Sequence, residues 1–175
     1  MFIVFIDQLA KLFDKHHITA KLFADDLKVY LKIESVDDAA RLQVALDLII
    51  EWSCAWQLSV SVTKCSLLNV GHTHVTADYQ LAGSVLTTTE YCRDLRVTIT
   101  CNLSMSRHIS EITTKAHQRA NCIRSFTSGD EDLLIHTFVV YVRPIVEYNS
   151  IWSPHSKHDI DSVDGLVQML VSIQA

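Results

Sequence analysis

Glycine and proline are scarce in this sequence, which contains four glycines and two prolines among 175 residues. The chain also lacks a low-complexity tract, an internal repeat and a linker-like segment. Its length is sufficient for one domain with a substantial hydrophobic core. These features favour a single α+β unit that continues into helices over a string of separate modules.

Paired cysteines at metal-binding or redox spacing are absent as well. The five cysteines are odd in number, and none belongs to a Cys-x-x-Cys pair: Cys54, Cys65, Cys92, Cys101 and Cys122. The nine histidines have no cysteine partners at zinc-finger spacing. We therefore predict reduced thiols, no structural zinc and an intracellular location, in the cytoplasm or the nucleus.

Long apolar runs are also missing. No segment approaches the roughly 20 apolar residues of a membrane span. The short apolar run at 1–6 lacks the basic leader of a secretory signal peptide. Neither a membrane partner nor export is predicted.

Positive charge is in deficit, since 15 lysines and arginines stand against 20 aspartates and glutamates, for a formal net charge of −5. Nucleic-acid enzymes usually hold phosphates with a basic surface, so bulk charge argues against nucleic-acid binding by this chain alone. The hydrophobic fraction of 49% and the mean hydropathy of +0.18 are on the high side for a self-contained soluble domain. A piece cut from a larger protein is expected to expose apolar surface that the rest of that protein would cover.

Two adjacent carboxylates, Asp25 and Asp26, lie between segments in which apolar and polar residues alternate, as in half-buried strands. These segments, 18–23 and 27–33, predict a hairpin with a tight turn at 24–26. The turn would place both carboxylates at its tip, where oxygen ligands can hold Mg²⁺ while it keeps waters and substrate phosphates. Aspartate is also common in turns because it bonds its own backbone, so a solvated turn is the alternative.

The string Phe-Ala-Asp-Asp at 23–26 resembles the catalytic signature of reverse transcriptases, in the variant seen in non-LTR (LINE-type) retrotransposons. Segment 56–65 is similar to the family's strand-and-lysine motif, and 94–97 to its Leu-Gly-Val strand, which leads into the primer-grip region. Three later segments resemble the helical region beyond it: 106–109, 115–116 and 141–154. Because the motifs follow the family's order, the resemblance covers residues 1 to about 154.

The resemblance implies an α+β fold with a partial polymerase palm at 1–100, made of a hairpin, a helix and short antiparallel strands. A helical thumb-like region and a C-terminal helix would follow at 101–175. It further implies RNA-directed DNA synthesis, in which two metals activate the primer hydroxyl and stabilise the leaving pyrophosphate. Mg²⁺ is the implied cofactor, and an RNA template and a DNA primer are the implied partners.

In this family an Asp on an upstream strand and the first Asp of the hairpin, here Asp25, bridge the metals, and Asp26 is a secondary carboxylate. The upstream motif and the Gln-Gly-Ser-type segment that positions template and nucleotide are not in this sequence. Asp7 matches a surface or capping position of a palm helix and is not expected to replace the missing ligand. We therefore expect the chain to begin just downstream of half its active site, to bind Mg²⁺ weakly or not at all, and to be inactive alone.

Lys64 matches a lysine that in the family is proposed to assist the leaving pyrophosphate or to shape the nucleotide pocket, although a charged residue between strands is also typical of a turn. Four basic residues of a predicted helix are either nucleic-acid contacts or a solvated face: Arg107, Lys115, Arg119 and Arg124. Three aromatic residues favour core packing, with stacking on nucleic acid as the alternative: Tyr141, Tyr148 and Trp152.

Periodicity predicts the remaining elements. A capping box at 35–38 begins a helix with apolar positions at 39, 42, 46, 49, 50 and 53. Strands are predicted at 57–62, 66–70 and 94–100, with a hairpin turn at 83–84. A helix follows with an apolar stripe at 109, 112, 116, 120 and 123. Asp130 caps the next helix, and Pro144 near its end either kinks or stops it. A last amphipathic helix without a partner spans 159–174.

Two residues depart from the family pattern. Arg96 stands where glycine is usual and is expected to crowd the primer-grip neighbourhood, and Ser61 stands where asparagine is common. Both departures indicate relaxed selection. Three hypotheses follow: part of a reverse transcriptase, a domesticated non-catalytic module that binds RNA or protein, or a relic open reading frame with no selected function.

Overall fold

The computed structural model describes residues 2–71, 75–126, 131–148 and 154–171. In these ranges helices and short strands are mixed, which confirms the predicted α+β class. The chain divides into two compact units, 1–90 and 91–175. The boundary predicted at residue 100 would assign the first hairpin of the second unit to the palm. The palm and thumb-like identities of the two parts stay predictions.

The first unit contains two long helices and six short strands in its described residues: α1 (Phe2–Lys15), β1 (Thr19–Phe23), β2 (Asp26–Tyr30), α2 (Val36–Ala55), β3 (Ser66–Leu68), β4 (Gln80–Leu81), β5 (Ser84–Val85) and β6 (Thr87–Thr89). Strand β1 pairs with β2 and β4 with β5 in antiparallel hairpins, whereas β3 and β6 are parallel. A parallel pair needs a long crossover, which here includes the β4–β5 hairpin.

The core beneath the β1–β2 hairpin is built from one face of each long helix. Leu9 and Phe13, four residues apart on α1, are almost fully buried, and so are Ala45 and Ile49 on α2. Three hairpin side chains pack on them: Ala20, Leu27 and Val29. Because burying a large apolar side chain contributes roughly 1.5–3 kcal/mol, this contact fixes the hairpin on the helices.

Helix α2 begins with the predicted capping box. Ser35 Oγ accepts the Asp38 backbone N–H at 3.2 Å, and Asp38 Oδ2 accepts the Ser35 N–H at 3.0 Å. The Ser35 hydroxyl is the main cause that lowers the pKa of Asp38 below its ordinary value. The predicted apolar positions of α2 are buried or half-buried, as expected. These positions belong to two hydrophobic clusters. Ile49 packs in the cluster beneath the β1–β2 hairpin, and Ala39 packs in a second one with Tyr79 and Leu81.

The strand predicted at 57–62 is wrong, and so is the turn predicted at 83–84. Residues 58–61 have no regular structure, and Val62–Lys64 is a 3₁₀ turn. Gln57 has a φ of 54° immediately after α2, so the chain leaves the helix in a left-handed cap instead of an extended strand. The β4–β5 turn lies one residue earlier than predicted, at 82–83, where both residues have positive φ.

The described part of the second unit contains one hairpin followed by four helices: β7 (Tyr91–Asp94), β8 (Val97–Thr100), α3 (Ser106–Phe126), α4 (Glu131–Tyr141), α5 (Arg143–Glu147) and α6 (Lys157–Val171). The single strand predicted at 94–100 is therefore wrong, because the chain turns at Leu95 and Arg96. Their φ angles are 44° and 70°, and a two-residue type I′ hairpin turn requires positive φ at both positions. Arg96 is exposed, and its left-handed backbone is a conformation that glycine would adopt without strain.

Helix α3 carries the apolar stripe predicted for it. Ala116 and Ala120 are buried against Phe138 of α4 and against Val142, which separates α4 from α5. Helix α4 ends at Tyr141, three residues before Pro144, and the proline lies in the first turn of α5, where its missing N–H has no helical partner to lose. Asp130, the predicted cap of α4, lies outside the described residues.

The predicted core packing of the aromatic residues is wrong for Tyr141 and Tyr148, each of which is 55% exposed. Trp152 lies outside the described residues. The last helix, α6, packs on α3 and so has a partner, contrary to the prediction. Its buried residue in the first turn is Asp159 instead of the apolar Ile160.

No helix among the described residues is both long and apolar enough to span a membrane.

Candidate functional site

The carboxylate pair lies at the tip of the β1–β2 hairpin, as predicted. Ala24 and Asp25 form a two-residue turn, and Asp26 begins β2 opposite Phe23. Ala24 has the left-handed φ of 53° that lets the chain reverse within two residues. Both carboxylates are exposed to solvent. The turn thus presents two adjacent oxygen-ligand side chains on a hairpin whose opposite face is packed on helices.

The outward face of this hairpin combines aromatic and charged side chains. Because side chains alternate along a strand, Leu22 and Leu27 face inward, and Phe23 and Asp26 form the next cross-strand pair on the other face. Phe23 is 62% exposed. Lys21 and Lys28 lie opposite each other two residues from the tip. Like charges directly opposite destabilise a strand pair, so these two lysines weaken the pairing of the hairpin.

Asp25 and Asp26 suit Mg²⁺ by the chemistry of their oxygen donors. This ion commonly binds through one or two carboxylates together with waters and substrate phosphates. In the described ranges no three His, Cys, Asp or Glu side chains lie together as a ligand group. The described residues therefore offer two adjacent carboxylates at the tip and no larger ligand group. A metal ion bound there would supply the polarisation of phosphoryl oxygens that nucleotidyl transfer needs.

The other candidates in the first unit are not joined to this pair. Lys64 is exposed at the end of its 3₁₀ turn, and no hydrogen bond or ion pair among the described residues links it to Asp25 or Asp26. Asp7 is exposed on α1, where it pairs with Lys11 at 2.6 Å. Its surface position is the one predicted for it.

The four basic residues predicted on α3 have different environments. Arg107 pairs with Glu111 at 3.3 Å, and its guanidinium carbon lies 3.4 Å from the centroid of the Tyr91 ring. Arg119 donates a hydrogen bond to the Tyr141 carbonyl at 3.3 Å, which stabilises the end of α4. Lys115 and Arg124 are exposed on the same helix.

Charge is unevenly distributed along the second unit. Segment 91–126 contains six lysines and arginines against two acidic residues, whereas 127–175 contains two against seven. The first of these segments forms the β7–β8 hairpin and α3. The −5 net charge of the whole chain therefore conceals a basic segment.

A polar cluster, buried at Thr98 and His108, joins the β7–β8 hairpin to the first turns of α3 and was missed from the sequence. We call it the Thr98 cluster: Tyr91, Thr98, Arg107, His108 and Glu111. Thr98 donates its backbone N–H to His108 Nδ1 at 3.3 Å and its hydroxyl to Glu111 Oε2 at 2.6 Å. Its one sequence signal is Arg-His-x-x-Glu at the start of a helix, which places the three polar residues within one turn.

The two ionisable groups bonded to Thr98 both have a shifted pKa. Burial lowers the pKa of His108, with smaller contributions from Lys115 and Arg93 in the same direction and from Glu111 against it. The hydrogen bond from Thr98 is the main cause that lowers the pKa of Glu111, and Arg107 adds to it. The cluster therefore favours a neutral imidazole beside an ionised carboxylate.

No protein-family model matches this chain, and no curated protein and no solved structure is significantly similar to it.

Proposed function

We propose that this chain is part of an RNA-directed DNA polymerase of the non-LTR retrotransposon type, with two-metal nucleotidyl transfer as the parent activity. The observation that carries the proposal is the hairpin tip, with Asp25 in the turn and Asp26 at the start of β2. Metal-assisted phosphoryl transfer needs carboxylates that meet the substrate phosphates in a fixed position. An exposed tip on a hairpin anchored to two helices meets both requirements.

Each candidate residue has a role in this proposal. Asp25 is the shared metal ligand, Asp26 is the secondary carboxylate, and Lys64 assists the departing pyrophosphate. Because the described residues offer no third carboxylate near the tip, the 175-residue chain alone does not polymerise.

The first test is to sequence the transcript and the genomic locus through the first codon of this chain. We expect an uninterrupted upstream frame that encodes a strand motif ending in Asp and a Gln-Gly-type segment. An upstream frame of unrelated composition contradicts the proposal. Stops or frameshifts contradict an active polymerase and favour a relic reading frame.

Primer extension tests the roles of the carboxylates in the product of the longer frame. Asp25→Asn is expected to abolish Mg²⁺-dependent extension on an RNA template, because the amide does not replace the carboxylate as a bridging ligand. Asp7→Asn is the matched control, since Asp7 is an exposed helical carboxylate with its own lysine partner. Extension that survives Asp25→Asn, or extension by the 175-residue chain alone, contradicts the assignment.

A second candidate function, RNA binding by the second unit, is favoured by the basic segment 91–126 and by two arginine–tyrosine stacks. Arg107 lies over Tyr91, and Arg96 lies 5.7 Å from the centroid of the Tyr148 ring. Exposed aromatic and arginine side chains together suit single-stranded nucleic acid, which offers bases for stacking and phosphates for pairing.

The salt dependence of RNA retention distinguishes this candidate from the first. Replacing Lys115 and Arg124 with Gln should reduce the slope of log affinity against log salt by about 1.4, at about 0.7 for each phosphate contact to a single strand. Replacing Lys11 and Lys32, which form ion pairs in the first unit, is the control and should leave the slope unchanged. Equal effects of the two double variants contradict RNA binding at this surface.

A further inference from the structure

Helix α3 holds one residue of the β7–β8 hairpin through both its backbone and its side chain. His108 Nδ1 accepts the Thr98 N–H, and Glu111 Oε2 accepts the Thr98 hydroxyl. The two α3 residues are three positions apart and so lie on the same face of the helix. Thr98 is 3% exposed and His108 is 4% exposed. Water therefore has little access to the bond between the imidazole and the amide.

The direction of that hydrogen bond fixes the protonation state of His108. A ring nitrogen that accepts an N–H must carry its lone pair, so the proton of the neutral imidazole is on Nε2. When a second proton binds, Nδ1 becomes a donor and faces the Thr98 N–H, which is also a donor. The contact is then lost, and a buried amide is left without its acceptor.

We propose that His108 is a proton-sensitive anchor, which holds the β7–β8 hairpin on α3 while its imidazole is neutral and releases the hairpin when it is protonated. The device is independent of the polymerase proposal, because none of its residues belongs to the carboxylate hairpin of the first unit.

The charged groups around His108 act in both directions. Lys115 on α3 and Arg93 on β7 oppose the imidazolium, whereas Glu111 on α3 favours it. Strand β8 contributes no charged residue. On α6, Asp159 accepts a hydrogen bond from the Ser106 hydroxyl, two residues before His108. Burial is the largest effect, and it disfavours the cation.

Linkage gives the direction of the pH response. The pKa of His108 lies below its ordinary value of 6.5 when the hairpin is closed, so the open state binds protons more readily. The closed hairpin therefore keeps its full stability above about pH 6.5 and loses it as the pH falls towards the lower pKa. The pKa of Glu111 also lies below its ordinary value, 4.5. Glu111 therefore stays ionised above about pH 4.5, and a loss of the anchor between about pH 6.5 and pH 4.5 is due to His108.

Amide hydrogen exchange of the full chain, measured by NMR between about pH 7.5 and pH 5.5, tests the anchor. We expect the protection factor of the Thr98 amide to fall by up to about tenfold per pH unit below about pH 6.5, the limit for one linked proton. The Ala116 amide on α3, in the core of the same unit, should keep its protection and so separate local opening of the hairpin from unfolding of the second unit. At neutral pH the His108 ring should show an unprotonated Nδ1 and a protonated Nε2.

His108→Asn supplies the decisive comparison. The Asn carbonyl can accept the Thr98 N–H but does not titrate, so Thr98 protection should no longer depend on pH. His117→Asn, which removes another histidine of α3, should keep the native response. A native-like response in His108→Asn, a pH-independent response in the native chain, or an Nδ1 that carries the proton at neutral pH would each overturn the proposal. If His108→Asn does not fold, the native exchange profile and the ring tautomer still decide.

Discussion

Left-handed backbone at residues other than glycine recurs in this glycine-poor chain. Among the described residues seven have a positive φ without being glycine: His17, Ala24, Gln57, Ala82, Leu95, Arg96 and Leu103. Such a conformation costs an L-residue roughly 1–2 kcal/mol, because Cβ approaches the following carbonyl oxygen. The turns and helix ends of this protein therefore store strain that glycine would relieve.

Two of these residues end the long helices of the first unit in the same way. After α2, the Leu58 N–H bonds the Ser53 carbonyl at 2.9 Å, and the Gln57 N–H bonds the Cys54 carbonyl at 3.2 Å. After α1, the N–H groups of 17 and 18 make the equivalent bonds to the carbonyls of 14 and 13. This pair of bonds is the Schellman motif, whose left-handed position is usually glycine. The bonds end both helices with non-glycine residues in that position.

Gln57→Gly is expected to raise the free energy of unfolding by about 0.5–1 kcal/mol relative to Gln57→Ala. Both variants remove the same exposed side chain, but only glycine adopts the φ of 54° without a Cβ clash. Urea unfolding followed by tryptophan fluorescence measures the difference. A glycine variant no more stable than the alanine variant would show that the cap is not strained.

At the scale of elements, a buried carboxylate anchors the last described helix. Asp159 is 5% exposed and accepts the Ser106 hydroxyl at 2.8 Å, which joins the first turns of α3 and α6. Its own N–H bonds Ser156 Oγ at 3.1 Å, so it also takes part in the cap of α6. Hydrogen bonds from Ser156 and then Ser106 lower the pKa of Asp159 below its ordinary value, 3.8. The carboxylate is therefore ionised wherever the anchor is stable.

Asp159→Ala is expected to lower the free energy of unfolding by about 1.5–3 kcal/mol, the usual range for a hydrogen bond to a charged group. Since the pKa of Asp159 is lower in the folded state, its contribution is present above about pH 3.8 and is lost as the pH falls through the folded value. Thermal unfolding at several pH values measures both effects. Asp159→Asn keeps an acceptor without titrating, so it should flatten the acid limb, and an unchanged acid limb would contradict the anchor.

The sequence predicted long elements well and short ones poorly, for a physical reason. Helix α2 has 20 residues and a capping box, and the carboxylate hairpin has five alternating residues on each side, so their periods are visible. Strands β3 to β8 have two to four residues, too few to show a period. The β7–β8 turn was missed because Leu95 and Arg96 are not turn-forming residue types.

The candidate site residues also divide into those visible in the sequence and those that only tertiary packing brings together. Asp25 and Asp26 are neighbours in the chain, so their proximity needs no tertiary structure. The Thr98 cluster depends on β8 packing against α3, and no local pattern indicates which strand residue meets His108. Tyr141 and Tyr148 were misjudged because their exposure is decided by the neighbouring helices, whereas composition favours burial of aromatic residues.

At the scale of the whole molecule, each compact unit has its own hydrophobic core. Two clusters of buried residues belong to the first unit, and one that contains Ala116 and Phe138 belongs to the second. Parts of a chain unfold together when they share a hydrophobic core, whereas units with separate cores can unfold independently. The chain is therefore expected to unfold in two transitions, although its length is within the range of single domains.

Tryptophan positions make this prediction measurable. Trp52 and Trp56 belong to the first unit, and Trp152 is the remaining tryptophan of the sequence. In a Trp152→Phe variant, fluorescence reports the first unit alone, whereas circular dichroism at 222 nm reports the helices of both units. We expect the two urea midpoints to differ, and Asp159→Ala to shift only the circular dichroism curve. Fluorescence and circular dichroism curves that coincide, and that shift together in Asp159→Ala, would instead show one cooperative unit. In that case a loss of stability at α6 would also unfold the core that carries the Asp25 hairpin.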